Sequence, residues 1–136
     1  MLLLLFACAN QKPCQDTKEQ ARVAWGEVAG RYQIALQDAR NDLAERQGRL
    51  AALAAHPDAP QAGKDALTSE VTALEAQIRE LEAQVADAEA ARTAFGLSSA
   101  SAGKSASDAA AAKLSGKDVD KAVGQSASAA SVCGDR

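Results

Sequence analysis

The chain has 136 residues, a formal net charge of −3 and an aromatic content of only 3%, although 47% of its residues are hydrophobic. This length is that of one ordinary domain, and the low aromatic content leaves few large side chains for a compact core. Abundant Ala, Glu, Gln and Arg, with Leu and Val at helical spacing, favour elongated helices. Because no block of Lys or Arg is present, we expect no nucleic-acid partner.

The chain opens with a short apolar run, MLLLLFAC, which turns polar at Asn10 and reaches Pro13 soon after. A membrane-spanning helix needs about 20 apolar residues, so this run is too short to span. A buried strand would have no second strand-like run to pair with. We interpret residues 1–7 as the remnant of an export signal, whose complete form has a basic region before the apolar one. A plain hydrophobic N-terminus is the alternative.

The stretch LFAC, residues 5–8, resembles the lipobox of bacterial lipoproteins, in which a small residue precedes a cysteine that becomes lipidated and N-terminal. Phe6 is bulkier than the residue that this family usually has there. The resemblance implies that Cys8 carries the lipid, that residues 8–14 are a linker, and that the protein is anchored to a membrane. Ala9 follows Cys8, which in the enterobacterial sorting pattern implies the outer membrane, facing the periplasm.

Three cysteines, Cys8, Cys14 and Cys133, are an odd number for an exported protein. If Cys8 carries the lipid that the resemblance implies, Cys14 and Cys133 are left as an even pair. In an oxidising periplasm this pair can form a disulfide. The alternative is three free thiols. Since the chain has one histidine and no CxxC motif, we expect no metal site.

Residues 15–55 have the pattern of a helix that begins at Asp16, with Glu19 three positions later as its capping-box partner. Apolar and small residues then recur at alternating steps of four and three, which is the spacing of a coiled-coil seam, the row of side chains that faces a partner helix. Arg46 is the polar exception. The large members of this seam are Trp25, Tyr32, Leu36, Leu43, Leu50 and Leu53.

The segment HPDAPQAGK follows, and its two prolines and glycine predict a turn at about residues 56–63. A second helix with the same spacing then continues to about residue 97. Its a positions are mostly β-branched and its d positions mostly Leu, which favours parallel two-stranded coiled coils, so this helix could also pair with a second copy. Its seam consists of Leu67, Val71, Leu74, Ile78, Leu81, Val85 and Phe95.

The two seams match when the helices are antiparallel, because the residue numbers of facing positions then add to a nearly constant value. In this register the charges of Arg40 and Glu82 are complementary, and so are those of Arg49 and Glu70. We therefore predict an all-α fold, an antiparallel two-helix coiled-coil hairpin over residues 15–97. An intermolecular coiled coil, including a dimer of hairpins, stays open as an alternative.

More than half of residues 98–136 are Ser or Ala. Such a composition buries little apolar area against the entropy of ordering the chain. We expect a flexible or weakly helical tail, with short helical turns at SDAAAAKL and KDVDKAV. Cys133, close to the end of this tail, would then return to Cys14.

The sequence contains no recognisable catalytic constellation, so we expect neither an enzyme nor a cofactor. The only histidine, His56, lies in the turn, and the acidic residues have the spacing of solvated coil faces. GKS at residues 103–105 lacks the upstream glycine and the strand of a phosphate-binding loop. Trp25, Tyr32 and Phe95 could line a ligand site at the open end of the hairpin, but their seam positions favour core packing.

These features predict a lipid-anchored, periplasm-facing structural or adaptor protein of a bacterial envelope, which acts through coiled-coil contacts with a protein partner or a second copy. The chain loosely resembles the short coiled-coil lipoproteins of the envelope, although Arg136 stands where they have the Lys that links to peptidoglycan. One alternative is a small periplasmic binding module, such as an inhibitor or an accessory subunit of an envelope complex. Another is a soluble cytoplasmic coiled-coil protein.

Overall fold

A computed structural model describes the backbone of residues 2–134 and the side chains of residues 12–134. Its described part is helical, without strands: α1 spans Leu2–Ala54, α2 Gln61–Leu97, α3 Ala100–Ala111 and α4 Lys117–Cys133. The predicted all-α class is therefore confirmed. The number of helices is four rather than two, because the C-terminal segment contributes α3 and α4.

The first helix begins earlier than the capping pattern predicts. Helix α1 passes through residues 8–14, which were expected to be a linker, and includes Pro13 in its interior. Asp16 lies inside this helix, so its predicted capping role is wrong. Glu19, the expected capping-box partner, instead accepts a hydrogen bond of 2.8 Å from Arg22 Nε. An acidic residue three positions before an arginine on an exposed helix face forms such a pair. The spacing of Asp16 and Glu19 alone does not distinguish a capping box from this pairing within the helix.

The turn between α1 and α2 is close to its predicted place. Backbone hydrogen bonds of 3.1 Å join His56 N to Leu53 O and Ala59 N to His56 O. Pro60 precedes the first residue of α2, and its carbonyl accepts from Gly63 N and Lys64 N. Proline suits the N-terminal end of a helix, because the backbone N–H groups there have no acceptor within the helix and the N–H that proline lacks is therefore not needed.

The chain divides into two compact units. One, here called the four-helix unit, consists of Met1–Arg31 and Gln84–Arg136, and the other, the two-helix unit, is Tyr32–Ala83. The four-helix unit thus takes the start of α1, the end of α2, and the whole of α3 and α4. The two-helix unit takes the end of α1, the turn and the start of α2.

The seam side chains of the two-helix unit are buried over part of its length and half-buried over the rest. Tyr32, Leu36, Ile78 and Leu81 are buried, with exposed fractions between 7% and 9%. The seam residues nearer the turn are half-buried: Leu43, Leu50, Leu53, Leu67, Val71 and Leu74. The buried members therefore lie in the half of this unit that is farther from the turn along both helices.

Two ion pairs join α1 to α2 in the two-helix unit. Arg40 Nη2 lies 3.1 Å from Glu82 Oε1, as the register predicts. Arg46 Nε lies 3.0 Å from Glu70 Oε2, whereas Arg49 pairs within its own helix with Glu45, at 2.7 Å. The predicted pairing of Arg49 with Glu70 is therefore wrong, because Arg46, the polar exception in the seam, binds Glu70 instead.

The C-terminal segment differs from the flexible or weakly helical tail that its composition predicts. Ser99 caps α3 by accepting a hydrogen bond from Ala102 N, at 3.2 Å. Each of the two helices buries a face of mostly small residues in the four-helix unit. These residues are Ala100, Gly103, Ser107 and Ala110 on α3, and Val119, Ala122, Ser126, Ala129 and Cys133 on α4.

Small side chains suffice here because the large ones come from α1 and α2. Trp25 and Val28 are fully buried in the four-helix unit, and Phe95 is 2% exposed. A Cβ atom added to Gly103 would lie 2.5 Å from Phe95 Cε1, so only glycine leaves room for this ring. Small residues on α3 and α4 thus pack against bulky residues on α1 and α2, as dense cores require.

Candidate functional site: the disulfide and the Trp25 cluster

A disulfide joins the first helix to the last. Cys14 and Cys133 are bonded across 119 residues of sequence, with their Cα atoms 4.8 Å apart. This confirms the predicted pairing. Cys14 is half-buried on α1, and Cys133 is the last residue of α4, with 6% of its surface exposed. Cys8, the predicted lipidation residue, lies outside the side chains that the structure describes.

The indole of Trp25 makes a buried hydrogen bond to α4. Its Nε1 donates to Ser126 Oγ at 3.0 Å, and Ser126 Oγ donates in turn to the carbonyl of Ala122 at 2.7 Å. Both polar groups of the pair are therefore satisfied without water. The spacing of the seam predicts a buried position for Trp25, whereas nothing in the sequence indicates Ser126, because a serine among alanines is equally typical of an exposed helix face.

A second connection lies at the start of α4. Arg31 Nε lies 2.5 Å from Asp118 Oδ2, and its Nη2 donates to Asp118 Oδ1 at 3.0 Å and to Ser115 O at 2.7 Å. Asp118 Oδ1 also accepts from Val119 N at 2.9 Å, in the first turn of the helix. The Asp118 carboxylate thus accepts hydrogen bonds both from the Arg31 guanidinium and from a backbone N–H of the first turn of α4. A negative charge is favourable at this position, because the N-terminal end of a helix carries a partial positive charge.

Gly116 allows the chain to enter α4 beside this pair. Its φ of 132° lies in a region that side-chain-bearing residues avoid. A Cβ atom there would lie 2.7 Å from Asp118 Oδ1 and 3.0 Å from Arg31 Nη2. A larger residue at position 116 would therefore be strained and would also collide with the ion pair.

The buried face of α3 contains one polar atom without a partner. Ser107 is 0% exposed, and its Oγ has no hydrogen-bond partner within the described part of the chain. A buried hydroxyl in this condition costs free energy, since its hydration is lost without replacement. Ser107 is therefore a position where alanine should suit the fold better.

A shallow cleft of about 420 Å³ opens on the four-helix unit and is lined by Gln15, Lys18, Glu19, Arg22, Phe95 and Gly96. The hydrogen bond from Arg22 lowers the pKa of the Glu19 carboxyl, and the same bond raises the pKa of Arg22. Arg22 is thus already paired with a carboxylate of the cleft. The walls contain no buried polar group that points at a ligand, so we assign the cleft no ligand.

The predicted seam residues of the four-helix unit are Trp25, Val85 and Phe95. Trp25 is 0% and Phe95 2% exposed, and Val85 is half-buried. Such burial matches the core-packing interpretation of the two aromatic residues rather than a ligand-contacting surface. Tyr32, the third aromatic residue of that hypothesis, is 7% exposed and belongs to the two-helix unit.

Across the described residues, no three His, Cys, Asp or Glu side chains are grouped as metal ligands would be. In the same part of the chain, no helix has the length and apolar content to cross a membrane. Comparisons with protein-family models, curated proteins and solved structures find no match for this chain. The function therefore has to be argued from the disulfide, the helices and the N-terminal motif.

Proposed function

We propose that the protein is a structural or adaptor protein of a bacterial envelope, anchored at the outer membrane by a lipid on Cys8 and facing the periplasm. The observation that carries this proposal is the Cys14–Cys133 disulfide. Disulfides form and persist in oxidising compartments and are rare in the cytoplasm, so the bond supports export. It also occupies two of the three cysteines, which leaves Cys8, in the lipobox-like stretch, as the one available for lipid.

The proposal includes an antiparallel coiled-coil hairpin of α1 and α2. Two contacts of the two-helix unit support this arrangement: Arg40 pairs with Glu82, and Arg46 with Glu70. As the residue number rises along α1, that of its partner falls along α2, which is the order of an antiparallel pair. The sequence register and these contacts differ only in which arginine binds Glu70.

The half-buried part of the seam supports a role in protein contacts. Leu43, Leu50, Leu67 and Val71 keep part of their apolar surface exposed. Two antiparallel helices cover each other on one side only, and a further helix or a second hairpin would bury the remainder, as in a four-helix bundle. We therefore place the partner contact on this half of the two-helix unit, next to the turn.

Lipidation is tested by expressing the chain behind a complete export signal in a bacterium and extracting it with a detergent that separates into two phases. We expect the unchanged chain in the detergent phase, with mass spectrometry showing a diacylglyceryl group on Cys8. Cys8→Ser should move the protein to the aqueous phase. Cys14→Ser with Cys133→Ser serves as the matched control, because it removes two cysteines without touching the lipid site. An unmodified N-terminus that retains Met1 would refute the anchor.

The partner is tested separately by sedimentation of the Cys8→Ser chain. A dimer whose association is lost on Leu50→Lys would identify a second copy as the partner. A monomer at all concentrations would exclude the second copy, and the adaptor role would then require a different protein. Asn41→Lys is the control, because this exposed residue of α1 lies off the seam.

A further inference from the structure

Helices α3 and α4 cover the largest apolar side chains of the four-helix unit with very little apolar surface of their own. Their buried faces carry mainly Ala, Gly and Ser, with Val119 as the large aliphatic residue, and Leu114 is buried in the segment between the two helices. Beneath them lie Trp25, which bonds to Ser126, and Phe95, whose ring meets Gly103. Ordering the chain from Ser98 to Cys133 costs conformational entropy, which burial of such small side chains offsets less than burial of large aliphatic ones would.

The remaining non-covalent connections are weak. Lys121 Nζ lies 3.5 Å from Glu27 Oε2 and Lys113 Nζ lies 3.8 Å from Asp87 Oδ1, with both lysines more than half exposed. Exposed ion pairs of this kind contribute little to stability. The Arg31–Asp118 pair is better formed, but it lies at the start of α4. At the far end of that helix, the connection is the covalent bond of Cys133 to Cys14.

We propose that the Cys14–Cys133 disulfide is a redox-sensitive switch, whose reduction releases α4 and then α3 and uncovers the surface around Trp25. The released surface would present Trp25, Val28 and Phe95, the bulkiest buried side chains of this unit. This inference does not depend on the lipid anchor or on the partner of the two-helix unit. It requires only that the bond, rather than packing, holds the two C-terminal helices in place.

The reducing agent is a dithiol, the chemistry of thiol–disulfide exchange. One thiolate attacks Cys14 Sγ, because Cys14 is half-buried whereas Cys133 is only 6% exposed. The Cys14–Cys133 bond breaks, Cys133 leaves as a thiolate and takes a proton, and a mixed disulfide forms on Cys14. The second thiol of the agent then attacks this mixed disulfide and releases Cys14 as a thiol. Two electrons and two protons pass to the protein, and the dithiol becomes a cyclic disulfide.

Trp25 is the only tryptophan of the chain, so its fluorescence reports directly on its cover. The test uses the full chain with Cys8→Ser, so that no third thiol can exchange, and compares it before and after reduction by dithiothreitol. We expect the Trp25 emission to shift to the red and its quenching by acrylamide to rise several-fold. Hydrogen exchange should accelerate by more than tenfold in α4, with α2 residues 67–81 unchanged.

Two results would overturn the proposal. If mass spectrometry shows complete reduction while Trp25 stays shielded and α4 stays protected, packing alone holds the helices. If reduction instead unfolds α1 and α2 as well, the bond is a staple of the whole fold and not a switch. Cys14→Ala with Cys133→Ala should reproduce the reduced state without any dithiol. In the oxidised protein, Lys121→Ala should leave emission and exchange unchanged, which distinguishes the bond from the ion pairs.

Discussion

The two units of this chain build helical cores from different materials. In the two-helix unit, Leu, Ile and Val repeat along a seam, and pairs such as Arg40–Glu82 flank it. In the four-helix unit, two aromatic residues, Trp25 and Phe95, pack among Ala, Gly and Ser, and a disulfide adds a covalent link. A repeated aliphatic seam is held by many similar contacts. The core of the four-helix unit depends instead on a few individual residues.

This difference makes the effects of mutation unequal. Loss of one seam residue leaves its neighbours along the same row in place. Trp25 has no equivalent neighbour, since it supplies both the largest buried side chain and the hydrogen bond to Ser126. We therefore expect the greatest sensitivity in the four-helix unit, although the buried faces of its C-terminal helices consist mostly of small residues.

Trp25→Ala should have the largest effect. It removes a fully buried indole and its hydrogen bond, so the free energy of unfolding should fall by about 4 kcal/mol, within the range for such truncations. Val23→Ala, on an exposed side chain of the same helix, should change it by about 0.5 kcal/mol or less. Chemical denaturation followed by circular dichroism measures both. Similar losses for the two variants would remove the special role of Trp25.

Ile78→Asp tests the seam of the two-helix unit. Ile78 is 9% exposed, so a carboxylate there loses most of its hydration as well as the apolar contacts, at a cost of roughly 3 kcal/mol. Ala76→Asp, on an exposed position of the same helix, should keep the helicity and midpoint of the unchanged chain. Equal tolerance of the two substitutions would contradict the register.

Gly103→Ala should be destabilising by about 2 kcal/mol, because its methyl group would overlap the Phe95 ring and force a shift in a packed core. Gly124→Ala is the matched control in α4. Nothing lies within 4 Å of a Cβ atom at Gly124, so this change should stabilise the helix by about 0.5–1 kcal/mol. Thermal unfolding of the two variants should therefore move in opposite directions. A Gly103→Ala variant that is at least as stable as the unchanged chain would show that position 103 is not constrained by the ring.

The smallest effect belongs to the Arg40–Glu82 pair. Both side chains are about half exposed, so a double-mutant cycle to alanine should give a coupling of about 0.2–1 kcal/mol. Added salt should reduce this coupling, since exposed charges are screened. A coupling that is large and independent of salt would mean that the pair does more than align the helices.

The sequence predicts the two-helix unit better than the four-helix unit for a physical reason. Leu, Ile and Val are strongly apolar, so their spacing marks one face of a helix clearly. Ala and Ser occur on buried and exposed faces alike, so their spacing marks the buried faces of α3 and α4 less clearly. Burial of Ser126 and Ser107 depends on the bulky residues opposite them, which lie far away in the sequence.

The remaining differences between prediction and structure arise where one sequence pattern is compatible with two local structures. Asp16 and Glu19 fit a capping box, but Arg22 lies one turn beyond Glu19 and takes its carboxylate. Arg46 and Arg49 lie about one helical turn apart. Which of the two forms the ion pair with Glu70 depends on how far each side chain extends rather than on the register of the helices. The disulfide could be predicted because only Cys14 and Cys133 remain to pair once the lipobox resemblance assigns Cys8 to a lipid.

The disulfide also determines which part of the chain carries mechanical load. Because Cys14 and Cys133 are bonded at a sequence separation of 119, the chain from one to the other forms a closed covalent ring. Tension applied to the chain before Cys14 and after Cys133 passes through the sulfur bridge and does not stretch the chain between these two residues. A protease cut in the turn, at residues 55–60, would likewise leave both pieces in one molecule. The segment between the two cysteines would therefore resist pulling from outside the ring and yield to force applied at the turn.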